Sequence, residues 1–416
     1  MAKKLAFDKV LFTVVVLLVG LGLAMVFSAS AAIARDAGHR LNPFLVKQAM
    51  AALLGGGAMV AAMHFDYRRL RHPAVVYGLF GLCVVLLVAV LFSPEVNGSR
   101  RWFFLGPLSF QPSELAKLSL VLFLAYQVER RTGRAGGVRT GVARGGSALG
   151  RSGELPPPGS PPRVATGHGR RPLVRRTRPL ADPRAAGRPG RPRDLVVPCA
   201  VGVTLLAGLV LVGRDLGTSL LLAGVAALVL LLAGIPWRFL IGGGVAFLPL
   251  LWFLIISVPY RRERLFAFLE PEKDPLGSGF QTLQSLIAVG SGGVFGLGPG
   301  ESVQKLHFLP YPYSDFIFAI VAEELGLIGA LSLLALFGLF LWRGARAGLR
   351  APERFGRHLA WGLTGMIVLQ ALLNLSVATA LLPTTGIPLP FISYGGSSMV
   401  TTLTACGVLL NLSQHG

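Results

Sequence analysis

Asp315 is the residue whose setting points most directly to chemistry. It closes the run Leu309-Pro310-Tyr311-Pro312-Tyr313-Ser314-Asp315 and immediately precedes a long apolar stretch that opens at Phe316. A carboxylate in that place can take a proton from an attacking hydroxyl. Equally, Ser314 or Asp315 can cap the following helix, where both residue types are favoured and the dipole rewards negative charge. Two turns deeper, Glu323 and Glu324 fall within the apolar stretch. Carboxylates there need a base, a backbone donor or a shared proton, and a structural network answers that need as well as catalysis does.

Two further constellations carry polar chemistry. Arg100-Arg101-Trp102 is followed by Gln111-Pro112-Ser113-Glu114 and by Lys117. Pro112 and Ser113 read as a helix start, and Glu114 and Lys117, three residues apart, share one helix face. In water such a pair is an ordinary anchor, but in lipid ionisable side chains tend to face an interior cavity. The second constellation runs from Pro383 through Gly386, Pro388, Pro390 and Ser393 to Gly395-Gly396-Ser397-Ser398. Its three prolines fix the backbone and its paired glycines allow close approach, so taken alone it specifies a rigid turn. The glycine-rich run from Gly290 to Gly300 follows no strand and contains no Gly-Lys-Ser/Thr, which rules out a phosphate loop and leaves a flexible part of a connection. Cys83, Cys199 and Cys406 each sit in apolar runs without a histidine at ligand spacing, so neither disulfides nor zinc are indicated.

The elements that must position these residues are membrane helices. The 416 residues are 53% hydrophobic and 14% charged, with a mean hydropathy of +0.63. A soluble domain could not carry that composition without exposing apolar surface. Apolar stretches able to cross a hydrocarbon core of about 30 Å lie near 10–32, 44–63, 73–92, 195–213, 218–234, 237–257, 316–342, 358–382 and 392–413, and a shorter one at 114–128 makes roughly ten. The first is too long for a signal-peptide core and reads as an uncleaved span. The fold class is therefore an all-α polytopic membrane protein of about ten transmembrane helices, with a long outer loop, 258–315, between helices 7 and 8. Lys3, Lys4, Arg68, Arg69, Arg71, Arg238 and the bases from Arg343 to Arg357 fall on alternate connections, which the positive-inside rule makes cytoplasmic, with both termini inside. The outer loop carries Arg261, Arg262, Arg264, Lys273 and Lys305 against that rule, and its half-apolar stretch Phe280 to Phe295 could lie along the interface.

The chain thus divides into helices 1–4 (1–131), a segment 132–193, and helices 5–10 (194–416). Of the net charge of +21, the stretch from Arg131 to Arg193 supplies +13, with 15 Arg, no Lys and two acids. This distribution gives no reason to invoke nucleic acid. Rich in Gly and Pro and without periodicity, the segment reads either as a disordered cytoplasmic tether to anionic lipid or as out-of-frame translation of GC-rich DNA.

Several long motifs in order carry a family resemblance. Gly279-Phe280-Gln281, Ser285-Leu286-Ile287-Ala288, Ser302-Val303-Gln304-Lys305-Leu306, Asp315-Phe316-Ile317-Phe318-Ala319 and Ala322-Glu323-Glu324-Leu325-Gly326 resemble the SEDS family of bacterial membrane enzymes, which polymerise the peptidoglycan precursor lipid II. The likeness is strongest to the division-associated FtsW branch and covers nearly the whole chain outside 132–193. It implies Asp315 as the catalytic residue, and matches Glu114, Lys117 and Lys305 to the family's neighbouring acidic and basic residues; Arg100, Arg101, Arg261, Gln304, Ser393, Gly395 and Ser397 are further candidates for binding substrate. Two departures stand out. Where the family usually reads Pro-Glu-x-His-Thr-Asp-Phe, Tyr311 and Tyr313 replace the glutamate and histidine, which bears on how Asp315 is oriented or tuned. Before Asp215, the usual proline is Arg214, which bears on a local turn.

The chemistry suits such a reaction. A lipid-diphosphate leaving group needs positive charge rather than a proton, so one carboxylate base and nearby cations suffice. Asp315 supplies the base; Lys117, Lys305, Arg100, Arg101, Arg261, Arg262 and Arg264 are the candidates for the diphosphate. A Mg²⁺ or Mn²⁺ ion bridging Asp315 and the diphosphate is compatible, although no ligand cluster declares one. The resemblance implies a class B penicillin-binding protein and other division proteins as partners in the bacterial cytoplasmic membrane, at the septum. A lipid II flippase and a division scaffold of low activity are the rival readings of the same charges.

Overall fold

The computed structural model describes residues 7–38, 41–95, 99–105, 108–135, 192–275, 277, 279–306 and 308–415. Most of the Arg-rich segment lies outside the described residues. Ten helices correspond to the expected spans: α1 (Lys9–Asp36), α2 (Pro43–His64), α3 (Pro73–Val90), α4 (Pro112–Ala135), α5 (Pro192–Val212), α6 (Leu216–Leu232), α7 (Trp237–Ile256), α10 (Ile317–Arg350), α11 (Arg354–Ala378) and α12 (Gly396–Ser413). The long connection 258–315 holds two short α-helices, α8 (Pro259–Leu269) and α9 (Phe280–Ser291). Seven of the ten are long and apolar enough to cross a membrane by length and composition, and α6 is a shorter apolar helix.

Local sequence explains where the helices begin. Asp8 caps α1 through the Leu11 amide, and Asn42 caps α2 through the amides of Phe44 and Leu45. Pro43 and Pro73 occupy first-turn positions, where a missing N–H costs nothing. Asp215 caps α6 through the Thr218 amide. The last span starts at Gly396 instead of 392, because residues 389–395 are held in an irregular turn by Gln48 of α2 and by Ser393 Oγ within the turn itself.

The last helix, α12, packs most extensively on α2, with further contacts to α1, α4, α10 and α11. Ser397, Ser398, Thr401, Thr402 and Asn411 are all buried in these contacts. Two glycines allow the close approach. A Cβ at Gly55 would stand 3.1 Å from Val400 Cα, and one at Gly407 would run into the Met59 backbone.

Polar contacts sort the connections into two ends. At one, Asp8 pairs with Arg343 and its amide donates to Ser413, while Glu353 pairs with Arg68 and Arg71. At the other, Arg214 pairs with Glu95, Arg101 with Asp215, and Arg264 donates to the Thr384 carbonyl. This second end also carries a feature the periodicity did not announce, a two-stranded antiparallel hairpin of β1 (Phe103–Leu105) and β2 (Leu108–Phe110) leading into α4. Its three-residue strands are too short for an alternating pattern to register.

The connection 258–315 is packed and hydrogen-bonded to the helices around it. One face of α9 packs on α10 and α11, burying Thr282, Ser285 and Ala288, and Ser285 Oγ donates to the Ala378 carbonyl at 2.6 Å. The glycine-rich run after it is not a flexible connection. Residues 293–298 are hydrogen-bonded into a break in α10 at Gly326, whose φ of 64° and ψ of −163° interrupt the helix.

Candidate functional site

A cavity of about 690 Å³ opens among the second-end connections, and Asp315 is on its wall. So are Arg101, which precedes β1, and Arg264 of α8. Asp315 does not cap α10: the helix begins at Ile317, its N-cap position is Phe316, and no side-chain cap bond is made there. The capping alternative therefore falls away. Ser314 Oγ donates to Asp315 Oδ1 at 3.0 Å. Protein encloses the carboxyl enough that desolvation is the largest influence on it, raising its pKa above the usual aspartate value. Its hydrogen bond from Ser314 and the guanidinium charges of Arg264 and Arg101 oppose that shift, and Asp215 reinforces it.

Arg101 bridges the site. Its Nη1 lies 3.5 Å from Asp215 Oδ2, and its Nε donates to Ser99 Oγ at 2.8 Å. Asp215 also accepts from Gln111 Nε2 at 3.3 Å and from the Thr218 hydroxyl at 2.9 Å. Between Arg101 and Asp315 stands Gly386, with φ of 74°, in the left-handed region that favours glycine. A Cβ there would lie 3.8 Å from Asp315 Oδ2 and 3.9 Å from Arg101 Nη1, so carboxylate and guanidinium face the same gap.

The connection 383–395 is fastened to the Asp315 loop by a series of hydrogen bonds. Asn374 of α11 donates to the carbonyls of Asp315 and Ile387, each at 2.8 Å. Ser393 Oγ donates to the Ser314 carbonyl at 2.7 Å, and the Tyr394 amide donates to the Tyr313 carbonyl at 2.9 Å. From α2, Gln48 grips the same connection through the Ser393 carbonyl and the Gly395 amide. Tyr313, where the resemblance implies a histidine, puts its ring 4.5 Å from Phe44 and 5.7 Å from Tyr394, centroid to centroid. Tyr311 and Arg214, at the other departures, both have positive φ, 52° and 64°.

Of the residues expected to bind substrate, Arg101 and Gly395 line the cavity with Asp315. Ser393 supports the Asp315 loop from behind, and Ser397 joins the hairpin to α12 by donating to Ser109 O and accepting from the Gln111 amide. Arg100 is exposed, 3.7 Å from Glu95. Arg261 turns inward to the carbonyls of Leu254 and Leu211. Glu114 and Lys117 form a buried pair at 2.8 Å, with Lys117 also donating to Gln370 Oε1 at 2.6 Å, and Gln370 in turn donating to the Pro388 carbonyl. Gln304 and Lys305 belong to a separate cluster around Glu323 and Glu324.

Sequence reasoning missed Asp215, Tyr394 and Asn374, and left Arg264 as one base among several. Arg264 follows Arg261 by three residues, so a helix through both would have placed them on one face. Asn374, an amide within an apolar run, carried the same signal as an intramembrane charge. Among the described residues no group of three or more His, Cys, Asp and Glu could hold a metal ion.

Comparison with known proteins agrees with this architecture. The family model described as "Cell cycle protein" (FTSW_RODA_SPOVE) matches residues 8–143 and 183–416. A probable peptidoglycan glycosyltransferase FtsW of Geobacter metallireducens is 38% identical over 413 residues, covering 98% of this chain and 95% of the relative. Stage V sporulation protein E of Bacillus subtilis is 37% identical over 418 residues, 99% of this chain and 98% of its own. Among solved structures, a chain from a study of how a peptidoglycan synthase complex coordinates polymerization and crosslinking superposes with a TM-score of 0.70 at 32% identity, covering 98% of both chains. The rod shape determining protein RodA of Thermus thermophilus, solved as an aspartate-to-alanine mutant, gives 0.63 at 28% identity, again over 98% of both. With the family model matching most of its length and relatives this similar end to end, the chain belongs to the FtsW/RodA/SpoVE family.

Proposed function

We propose that this protein is a peptidoglycan glycosyltransferase of the bacterial inner membrane, joining lipid II units into glycan strands at the outer face during cell division. The FtsW relatives carry the name of that activity over nearly their whole length. The observation that supports the mechanism best is that Asp315 lines one cavity together with two guanidiniums, those of Arg101 and Arg264.

In this reading Asp315 accepts the proton of the acceptor sugar's 4-hydroxyl as its oxygen attacks the anomeric carbon of the lipid-linked donor. The new glycosidic bond forms while the bond from that carbon to the diphosphate oxygen breaks. The lipid diphosphate leaves with the electron pair, and Arg101 and Arg264 balance its charge. Burial counts in favour of the base, since it offsets the pull of both cations and keeps the carboxylate basic enough to hold a proton. Cross-linking falls to a partner, a class B penicillin-binding protein, in keeping with the solved relative that comes from a complex coordinating polymerization and crosslinking.

The decisive experiment is lipid II polymerisation by the purified protein and its Asp315→Asn variant. Loss of the base should slow polymerisation roughly 10²–10⁴-fold. Normal polymerisation by the variant would exclude Asp315 as the base. Transfer of labelled lipid II between leaflets without lengthening would instead identify a flippase.

A further inference from the structure

We propose that Lys305 and Glu324 form a buckle that fixes the loop carrying Asp315, so that Lys305 positions the base instead of binding the lipid-linked diphosphate. This rests on the reading of Asp315 given above. Neither residue lines the cavity, and the two side chains are only 7% and 1% exposed.

The donor inventory of Lys305 is full. Its ammonium contacts Glu324 Oε1 at 2.8 Å, Ser28 Oγ of α1 at 2.9 Å and the Gly300 carbonyl at 2.5 Å, which accounts for its three N–H groups. Glu324 is equally committed, since Oε1 also accepts from Ser28 Oγ and Oε2 accepts the Gly300 amide at 2.9 Å. A diphosphate could recruit this lysine only by stripping Glu324 of its counter-charge in a buried place, which is strongly unfavourable.

What the pair holds is the start of the Asp315 loop. Next to it, Glu323 accepts from Ser302 Oγ and from the amides of Val303 and Gln304. At the break in α10, the amides of Leu297 and Gly298 donate to the carbonyls of Glu323 and Glu324, and those of Leu327 and Ile328 donate back to Gly293 and Val294. Residues 293–305 are thereby sewn to residues 323–328 of α10, and Ser28 joins them to α1. Beyond Lys305 the Leu309 amide returns to the Gln304 carbonyl, and the chain then reaches Asp315, two residues before the same helix begins. One helix thus holds both ends of the segment that delivers the carboxylate.

Lys305→Met, Glu324→Gln and Ser28→Ala test this in the full-length purified protein. The first two should lower kcat about tenfold or more while KM for lipid II stays within about twofold, and Ser28→Ala should do the same more weakly. Hydrogen exchange at the amides of Gly300, Val303, Gln304 and Leu309 should quicken in all three. Ser28→Ala leaves no unpaired charge, so it reports even where a charge-removing variant fails to fold. A KM raised about tenfold in Lys305→Met with kcat kept would make the lysine a substrate ligand and overturn the proposal. Unchanged exchange at those amides in Lys305→Met and Ser28→Ala would overturn it as well. If the wild type does not polymerise lipid II, the functional reading fails, while the exchange data still decide the buckle.

Discussion

Asp315 stands between opposed influences, and its titration makes them measurable. Burial holds its pKa above the ordinary value, while Arg264 and Arg101 pull it down. A base must be deprotonated to work, so activity should fall as pH drops through that raised pKa, and removing a cation should raise it further. Arg264→Gln is thus expected to move the acidic limb of the pH profile of kcat/KM to higher pH; a limb that stays put would mean that Arg264 does not act on Asp315. Asn374 offers a second test. Asn374→Ala leaves the Asp315 and Ile387 carbonyls without their donor, a loss of about 1–3 kcal/mol each where buried. Polymerisation should fall with little change in KM, and thermal unfolding of the detergent-solubilised protein should occur at lower temperature. Asp315 and Arg101 were legible because charge beside an apolar run is conspicuous. Asn374 was legible only as an amide in an apolar run, and not in its role, which lies in which two carbonyls, 59 and 13 residues away in the chain, it reaches.

Helices carried most of what the sequence could reveal. Apolar length marked the spans, and Pro112-Ser113 marked the start of α4, because capping and proline geometry are local. The break in α10 is a tertiary event: Gly326 permits it, but the turn at residues 293–298 that hydrogen-bonds into it creates it, and no window around Gly326 contains that turn. The intimacy of α2 and α12 is also invisible in one helix alone. It predicts that Gly407→Leu, which drives a side chain into the Met59 backbone, destabilises the protein by about 1–3 kcal/mol through overpacking. Thermal unfolding against wild type in the same detergent checks this, and an unchanged midpoint would contradict the packing described.

Across the whole molecule, the family match passes over residues 144–182, between α4 and α5, which pack against each other. A chain lacking 144–182 should therefore keep its fold and its polymerase activity, and loss of either would assign the segment a role. Tryptic peptides from the cellular protein would decide between the tether and out-of-frame readings. The departures from the family pattern also change meaning once the backbone is seen. Arg214 sits at φ 64°, which proline's ring cannot adopt, and its guanidinium reaches Glu95 at 2.9 Å. Restoring the family's proline, the sort of consensus substitution used to stabilise proteins, would here oppose the turn that presents Asp215 to Arg101. A thermostabilisation campaign guided by relatives should leave position 214 alone.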